Sequence, residues 1–227
     1  MQRTPEPELM DDDEQARAYA EADFSEPHEH FVALFRETFP GLELACTVLD
    51  LCCCAADVAI RLARAFPRCR IDGVDGAPAM LRYGRLAVEN AGLAARIRLV
   101  EGHLPGAALP LERYDAVISN SLLHHLADPA VIWNSIRRFG KSGAAVFVMD
   151  LMRPENAEEV ERLVREYAAG EPEVLRRDFH ASLHAAYRPE ETRAQLAAAG
   201  LPEFNVRPVS DRHFAVFGHL RDPAAFP

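Results

Sequence analysis

The sequence predicts an α/β fold, a mostly parallel sheet with helices on both faces. Short runs rich in Val, Ile and Leu recur along the chain: TVLDL (47–51), IDGVD (71–75), IRLVE (97–101), YDAVIS (114–119) and AVFVMDL (145–151). Stretches of helical periodicity separate them, the alternation that builds parallel sheets. Two closing runs, FNVRPV and HFAVFGHL, lie close together, and a short connection between strands implies an antiparallel pair.

Residues 1–10 are polar and carry two prolines, which reads as a mobile arm or an extended strap. A helix is expected to start near Asp11–Asp13, whose carboxylates suit a helix amino terminus. A second helix places Phe31, Leu34, Phe35 and Phe39 at helical spacing, a stripe for packing on the main body. Beyond the first strand, one helix carries Val58, Leu62 and Phe66 on a face, and another runs from Pro78 to Asn90 before a stop at Gly92. A long helical segment at about 154–187 follows the fifth strand, then the helix PEETRAQLAAAG and the closing pair. The expected organisation is an amino-terminal arm with lid helices (1–44) and one core (45–227) that carries the insertion at about 154–187.

A chain of 227 residues with 49% hydrophobic content can bury one good core and is short for two full domains. A formal charge of -10 with no offsetting Lys/Arg cluster argues against a nucleic-acid partner. The segment MQRTPEPELMDDDE lacks the basic stretch and apolar run of a secretory signal, and no apolar run is long enough to span a bilayer. The expectation is a cytoplasmic protein without a membrane partner. Five cysteines, three of them adjacent and none in CxxC spacing, read as reduced thiols.

Open α/β sheets bind ligands beyond the carboxyl ends of their strands. The first strand is followed there by CCCAAD, the second by Asp75-Gly76, the third by Glu101-Gly102-His103 and the fourth by Ser119-Asn120 and SLLHHL. Asp75 has the placement of an acid that hydrogen-bonds ribose hydroxyls, or of a residue that starts a turn and caps the helix of DGAPAML.

At these residues the chain resembles a known family. VLDLCCCAADVAIRLA, GVDGAPAML, YDAVISNSLLHHLADP and GKSGAAVFVMDL are similar, in order and spacing over roughly residues 45–219, to the motifs of class I S-adenosylmethionine-dependent methyltransferases. The resemblance implies a Rossmann-like, doubly wound, seven-stranded sheet whose last strand is antiparallel, with helical additions as lids. It implies S-adenosyl-L-methionine as cofactor, S-adenosyl-L-homocysteine as product, and a small-molecule acceptor with an oxygen, nitrogen or carbon nucleophile. The cofactor site would then comprise Asp50, Cys52, Cys53, Cys54 and Ala55 around the first turn and Asp75, Gly76 and Met80 after the second strand. His103 and Leu104 would join it after the third strand, and Asn120 and Ser121 after the fourth.

The first motif lacks its glycines, which in the family pattern fall at Cys52, Cys54 and Ala56. Glycine serves in such turns because the chain can bend through positive φ and approach the ligand closely. A residue with a side chain held there costs about 1–2 kcal/mol. Cys54 falls where the family places the amino acid part of the cofactor, and His103 where it often has an acid facing adenine. The thiols read as inert small side chains or as a redox switch; no CxxC or paired-His spacing supports a metal, and none is expected.

His124, four residues past Asn120, occupies the place of the catalytic base in plant-type small-molecule O-methyltransferases, or else caps and packs beneath the helix. His125 is expected to point elsewhere on a helix. Tyr19 and Phe24 are expected over the sulfonium, with Tyr19 a second catalytic candidate. RRDFHASLHAAYRPEE offers His180, His184 and Tyr187 to the acceptor, beside Arg176 and Arg177 that suit an acidic one; the alternative is a solvated amphipathic helix. Lid helices can also be homodimer surfaces. The competing overall reading is a non-catalytic scaffold whose altered turn no longer holds the cofactor.

Overall fold

The computed structural model describes residues 1–6, 11–42 and 46–221. The expected boundary at residues 44 and 45, and residues 7–10 of the arm, lie outside them. The chain order is α1 (Asp13–Glu21), α2 (Ser25–Thr38), β1 (Thr47–Leu51), α3 (Asp57–Ala65), β2 (Arg70–Asp75), α4 (Pro78–Asn90), β3 (Ile97–Glu101) and β4 (Tyr114–Asn120). A 3-10 turn (Leu123–His125), α5 (Ala130–Phe139), β5 (Gly140–Leu151), α6 (Ala157–Tyr167), α7 (Glu173–Ala185), α8 (Pro189–Ala198), β6 (Asn205–Pro208) and β7 (His213–His219) complete it.

The sheet has seven strands in the order β3-β2-β1-β4-β5-β7-β6. β1 to β5 run parallel, and β7 is antiparallel to both β5 and β6. Strand order reverses between β1 and β4, which opens a crevice beyond their carboxyl ends. Both faces are covered, so the inner strands read as almost unbroken apolar runs. One face packs Val48, Ile71, Ile118 and Phe147 under α2 and α3; the other packs Leu49, Leu51, Val117 and Val146 against Trp133. The aromatic stripe of α2 is buried as expected, with Phe31 edge-on to Phe147 at 5.0 Å between ring centroids.

Elements differ from the sequence reading in three places. The segment at 154–187 is two helices, broken near Gly170 and Pro172 where helix cannot continue. β5 starts at Gly140, directly after α5, rather than at Ala145. The SLLHHL segment makes a single 3-10 turn instead of opening a helix. α1 starts at Asp13, with the Asp12 carboxylate accepting the backbone N–H groups of Glu14 and Gln15. Residues 1–6 form a strap: Thr4 N–H donates to His184 O at 3.0 Å, and Arg3 donates to the carbonyls of Ala185, His124 and Leu126. Among the described residues no helix is long and apolar enough to cross a membrane.

Two glycines make room for the turn that follows β1. A Cβ on Gly73, in β2, would stand 2.7 Å from Cys53 Cβ and 2.9 Å from its sulfur. A Cβ on Gly84, in α4, would stand 3.2 Å from the carbonyl oxygen of Cys54. Gly73→Ala is therefore expected to destabilise the fold by about 1–3 kcal/mol through overpacking. Cys53→Gly in the same chain should recover part of that loss. A double-mutant cycle in urea with coupling below about 0.5 kcal/mol would show that the two residues do not compete for space.

Candidate active site

The turn from β1 to α3 adopts the backbone that glycines would have supplied. Cys52 (φ 65°), Cys54 (φ 47°) and Ala56 (φ 66°) all sit in the left-handed region, at the three positions where the sequence pattern calls for glycine. Backbone hydrogen bonds hold them there: Cys52 N–H and Cys53 N–H both donate to Val74 O, at 2.8 and 3.1 Å, and Ala56 N–H donates to Cys53 O at 2.8 Å. Cys54 N–H donates to the Asp75 carboxylate at 2.9 Å.

Asp75 combines the two expected roles. Its Oδ1 accepts Ala77 N–H at 2.8 Å and starts the turn into α4, while Oδ2 holds the cysteine turn. Each carboxylate oxygen retains a further acceptor site. Asp50 is 1% exposed, and its Oδ2 has no hydrogen-bond partner. Burial first, and then the charge of Asp75, push its pKa up to about 7. Asn120 Oδ1, at the end of β4, is likewise buried and unpartnered. Two orphaned acceptors thus lie at the carboxyl ends of neighbouring strands, where ammonium or hydroxyl donors would satisfy them.

Two cavities meet at this turn. The smaller, about 140 Å³, is lined by Cys52, Asp75, Gly76, Met80, His103 and Leu104. The larger, about 670 Å³, is lined by Tyr19, Phe24, Asn120, Ser121 and His124 among others, and both include Cys54 and His125. Asp50, Cys53 and Ala55, expected in the cofactor site, line neither cavity. The Cys53 side chain packs toward Gly73, and the backbone of Ala55 passes beside Gly84.

Three expected acceptor residues also lie elsewhere. His180 faces Glu161 at 3.3 Å, His184 packs against the His180 ring, and Tyr187 lies under the Arg3 guanidinium at 4.1 Å. The face of α7 that lines the large cavity carries Leu175, Asp178, Phe179 and Ser182 instead. The expected cationic mouth is not there either. Arg212 is engaged by Glu26 and Asp211 over the Tyr167 ring, Arg177 is paired with Asp178, and Glu6, Asp23 and Glu171 add further carboxylates to the wall.

His124 is 2% exposed, and its Nδ1 is hydrogen-bonded to Asp150 Oδ1 at 2.6 Å. That bond makes Nδ1 the donor and leaves the Nε2 lone pair toward the large cavity. Burial lowers the pKa of this imidazole, but the Asp150 and Glu6 carboxylates together raise it above its usual value. The 3-10 turn also brings His125 beside it, ring centroids 4.1 Å apart, contrary to the expectation that His125 points away. Tyr19 stacks on Phe24 at 4.6 Å, and burial beside Cys54 and Cys52 pushes its phenol well above the usual range. That shift disfavours the phenolate and so argues against Tyr19 as a base. The Cys52 thiol is raised by its contact with Cys54 and by burial, and burial raises Cys53. Neither is a ready thiolate, which removes the chemical basis for a sensor at those two residues.

The sequence reading missed Glu6, Arg212 and His213 in the large cavity. Burial and then Arg212 press the His213 pKa down to about 3, so that imidazole is neutral at physiological pH. Its position at the start of the last strand, after a charged pair, gave no sequence signal.

Residues 48–143 match the family described as methyltransferase domain. The chain is 28% identical over 167 residues to an uncharacterised methyltransferase of Mycobacterium tuberculosis (strain ATCC 25618 / H37Rv), which covers 74% of this chain and 81% of that one. The crystal structure of a SAM-dependent methyltransferase from Aquifex aeolicus superimposes with a TM-score of 0.68 at 19% identity, covering 92% of this chain and 98% of that one. Residues 48–143 thus carry a methyltransferase domain, and the fold is that of S-adenosylmethionine-dependent methyltransferases. The chain is also 29% identical over 107 residues to a demethylmenaquinone methyltransferase of Geobacillus kaustophilus (strain HTA426), covering 47% of this chain but only 45% of that relative's length.

The residues present fit this methyltransferase family's cofactor. A buried acid at the end of β2 lines the smaller cavity, the orphaned Asp50 and Asn120 oxygens call for hydrogen-bond donors, and the turn keeps its backbone open toward both cavities.

The raised Asp50 pKa sets a pH dependence. Below about pH 4 the carboxyl is protonated in both folded and unfolded chains; between about 4 and 7 only the unfolded chain releases its proton. Stability should therefore fall as pH rises across that window. Asp50→Asn should flatten this part of the profile, read from urea midpoints of both proteins between pH 4 and 8. Parallel profiles would show that Asp50 is ionised throughout.

Proposed function

We propose that this chain transfers the methyl group of S-adenosylmethionine to a small-molecule acceptor with an oxygen, nitrogen or carbon nucleophile. The observation that carries the reading is the cavity of about 670 Å³, which opens on the cysteine turn and is walled by α1, α2, α6 and α7. A space of that size, mostly apolar with a few convergent polar groups, suits a small organic molecule.

When bound, S-adenosylmethionine supplies an electrophilic methyl on a sulfonium whose leaving group needs no acid. The work of the protein is then positioning and water exclusion. Asp75 offers acceptor sites to ribose hydroxyls from the wall of the smaller cavity, and His103 and Met80 line the space beside it for the base. Asn120, on the wall of the larger cavity, offers its unpartnered oxygen to the amino group, and Asp50 lies buried beneath the turn. Tyr19 and Phe24 present aromatic faces to the cation, and Tyr19 retains an O–H to donate. His124, held by Asp150, presents Nε2 on the acceptor side. The carboxylates around the large cavity favour neutral or cationic acceptors over acidic ones.

The alternative reading as a scaffold with a ruined cofactor site is disfavoured by the turn itself. Strained backbone at three residues, kept in place by Val74 and Asp75, is preserved geometry rather than decay.

Calorimetric titration of the reduced protein with S-adenosylmethionine and S-adenosylhomocysteine tests the reading. Micromolar binding of both is expected, and Asp75→Ala should weaken it roughly ten- to a hundredfold by removing a charged acceptor. Transfer of labelled methyl should then favour neutral and cationic phenols and amines over carboxylic acids. Absence of binding heat together with absence of a thermal shift would overturn the proposal.

A further inference from the structure

We propose that Glu6, His124 and His125 form a site for one divalent transition-metal ion of the zinc type, open toward the large cavity. The donor atoms already converge. Glu6 Oε1 lies 3.5 Å from His124 Nε2 and 3.2 Å from His125 Nδ1, and all three atoms fall within 4.8 Å of one another. Nitrogen and oxygen ligands placed tetrahedrally at about 2.0–2.2 Å from an ion stand roughly 3.3–3.6 Å apart. Two of the three spacings are close to that before any ion is added. Two imidazoles and a glutamate are also a donor set of catalytic zinc sites, which leave remaining positions for water or substrate.

Two further observations point to an ion. His124 Nδ1 is hydrogen-bonded to Asp150, the outer carboxylate that orients a metal-ligating imidazole and fixes its tautomer. Asp150 is itself fixed by the backbone N–H groups of Leu123 at 2.7 Å and Leu151 at 2.8 Å. The Glu6 side chain is only 9% exposed, and among the described residues its Oε1 makes no hydrogen bond and faces only the two imidazoles, while Ser182 donates to Oε2 at 3.3 Å. A buried carboxylate oxygen aimed at two imidazole nitrogens is costly without a cation.

A second cluster, Cys52, Cys54 and Asp75, also gathers three donor atoms within 4.8 Å. Both Asp75 oxygens there already accept backbone N–H groups, and the cluster belongs to the cofactor site. It is the rival that the experiment must separate. An ion at Glu6, His124 and His125 turns its open positions to the space assigned above to the acceptor. There it acts as a Lewis acid on an acceptor oxygen or nitrogen, a role that rests on the methyl-transfer reading; the binding of the ion does not.

The test is a titration of the full chain, stripped with a chelator, with Co²⁺ followed by visible absorption and by competition with Zn²⁺. One Co²⁺ per chain is expected, with ligand-field bands and no thiolate charge-transfer band. Glu6→Gln and His125→Ala should each weaken binding at least tenfold, and Asp150→Asn about ten- to a hundredfold. Cys52→Ser should leave Co²⁺ affinity unchanged. Absence of saturable binding, a thiolate band, or unchanged affinity in folded Glu6→Gln and His125→Ala proteins would overturn the site. Calorimetry with S-adenosylhomocysteine on the same samples keeps the two proposals apart. Co²⁺ binding without S-adenosylhomocysteine binding sinks only the methyl-transfer reading, and the converse sinks only the metal.

Discussion

The site depends on a left-handed backbone at three residues that carry side chains. Each of Cys52, Cys54 and Ala56 costs about 1–2 kcal/mol to hold at positive φ, and none has the freedom of glycine to offset it. The hydrogen bonds to Val74 O and to the Asp75 carboxylate act against that cost, and the burial of Ala56 at the start of α3 locks the exit of the turn. On the side turned to the protein, Gly73 leaves room for the Cys53 side chain and Gly84 for the turn's backbone at Cys54 and Ala55. Small residues are thus required where β2 and α4 approach the turn, and the cofactor side stays open.

The fold was legible because its signals were local and ordered. Apolar runs buried on both faces show strands without alternation, and the short link between the last two runs shows that they are antiparallel. The order and spacing of four motifs then placed the strand ends. Side-chain direction was not legible to the same degree. A CCCAAD run carries no periodicity, so nothing in it separates Cys52 and Cys54, which line a cavity, from Cys53 and Ala55, which do not. α7 shows the same limit: His180 and His184 stand out chemically, but the face turned to the cavity is set by how α6 and α7 pack. His125 was misread because its direction followed from assuming a helix where the chain makes a 3-10 turn.

Contacts made across long stretches of sequence were the least legible. Arg3 bonds the carbonyl of His124 across 121 residues, and that bond, with those to Ala185 and Leu126, sets where Glu6 falls. A polar strap reads as a tail until its anchors are seen. Once they are, the glutamate is a buried component of the wall, placed by a guanidinium that also covers the Tyr187 ring. The expectation that no metal binds rested on spacing along the chain, and spacing does not show where a side chain as distant as Glu6 falls.

The same strap changes the electrostatic reading of the cavity. The helices that wall it bring Glu26 and Asp178, the link between α6 and α7 brings Glu171, and the two arginines on its surface are already paired. His213 contributes no positive charge, since burial and Arg212 keep it neutral. An anionic acceptor would have to displace one of these ion pairs or enter against uncompensated carboxylates, at a cost that a neutral ring system or an amine does not meet. Glu6 is the carboxylate set against the two imidazoles, and in the proposed site a cation there would offset the cost of burying it, while Phe24, Met149, Leu175 and Phe179 supply the apolar part of the wall.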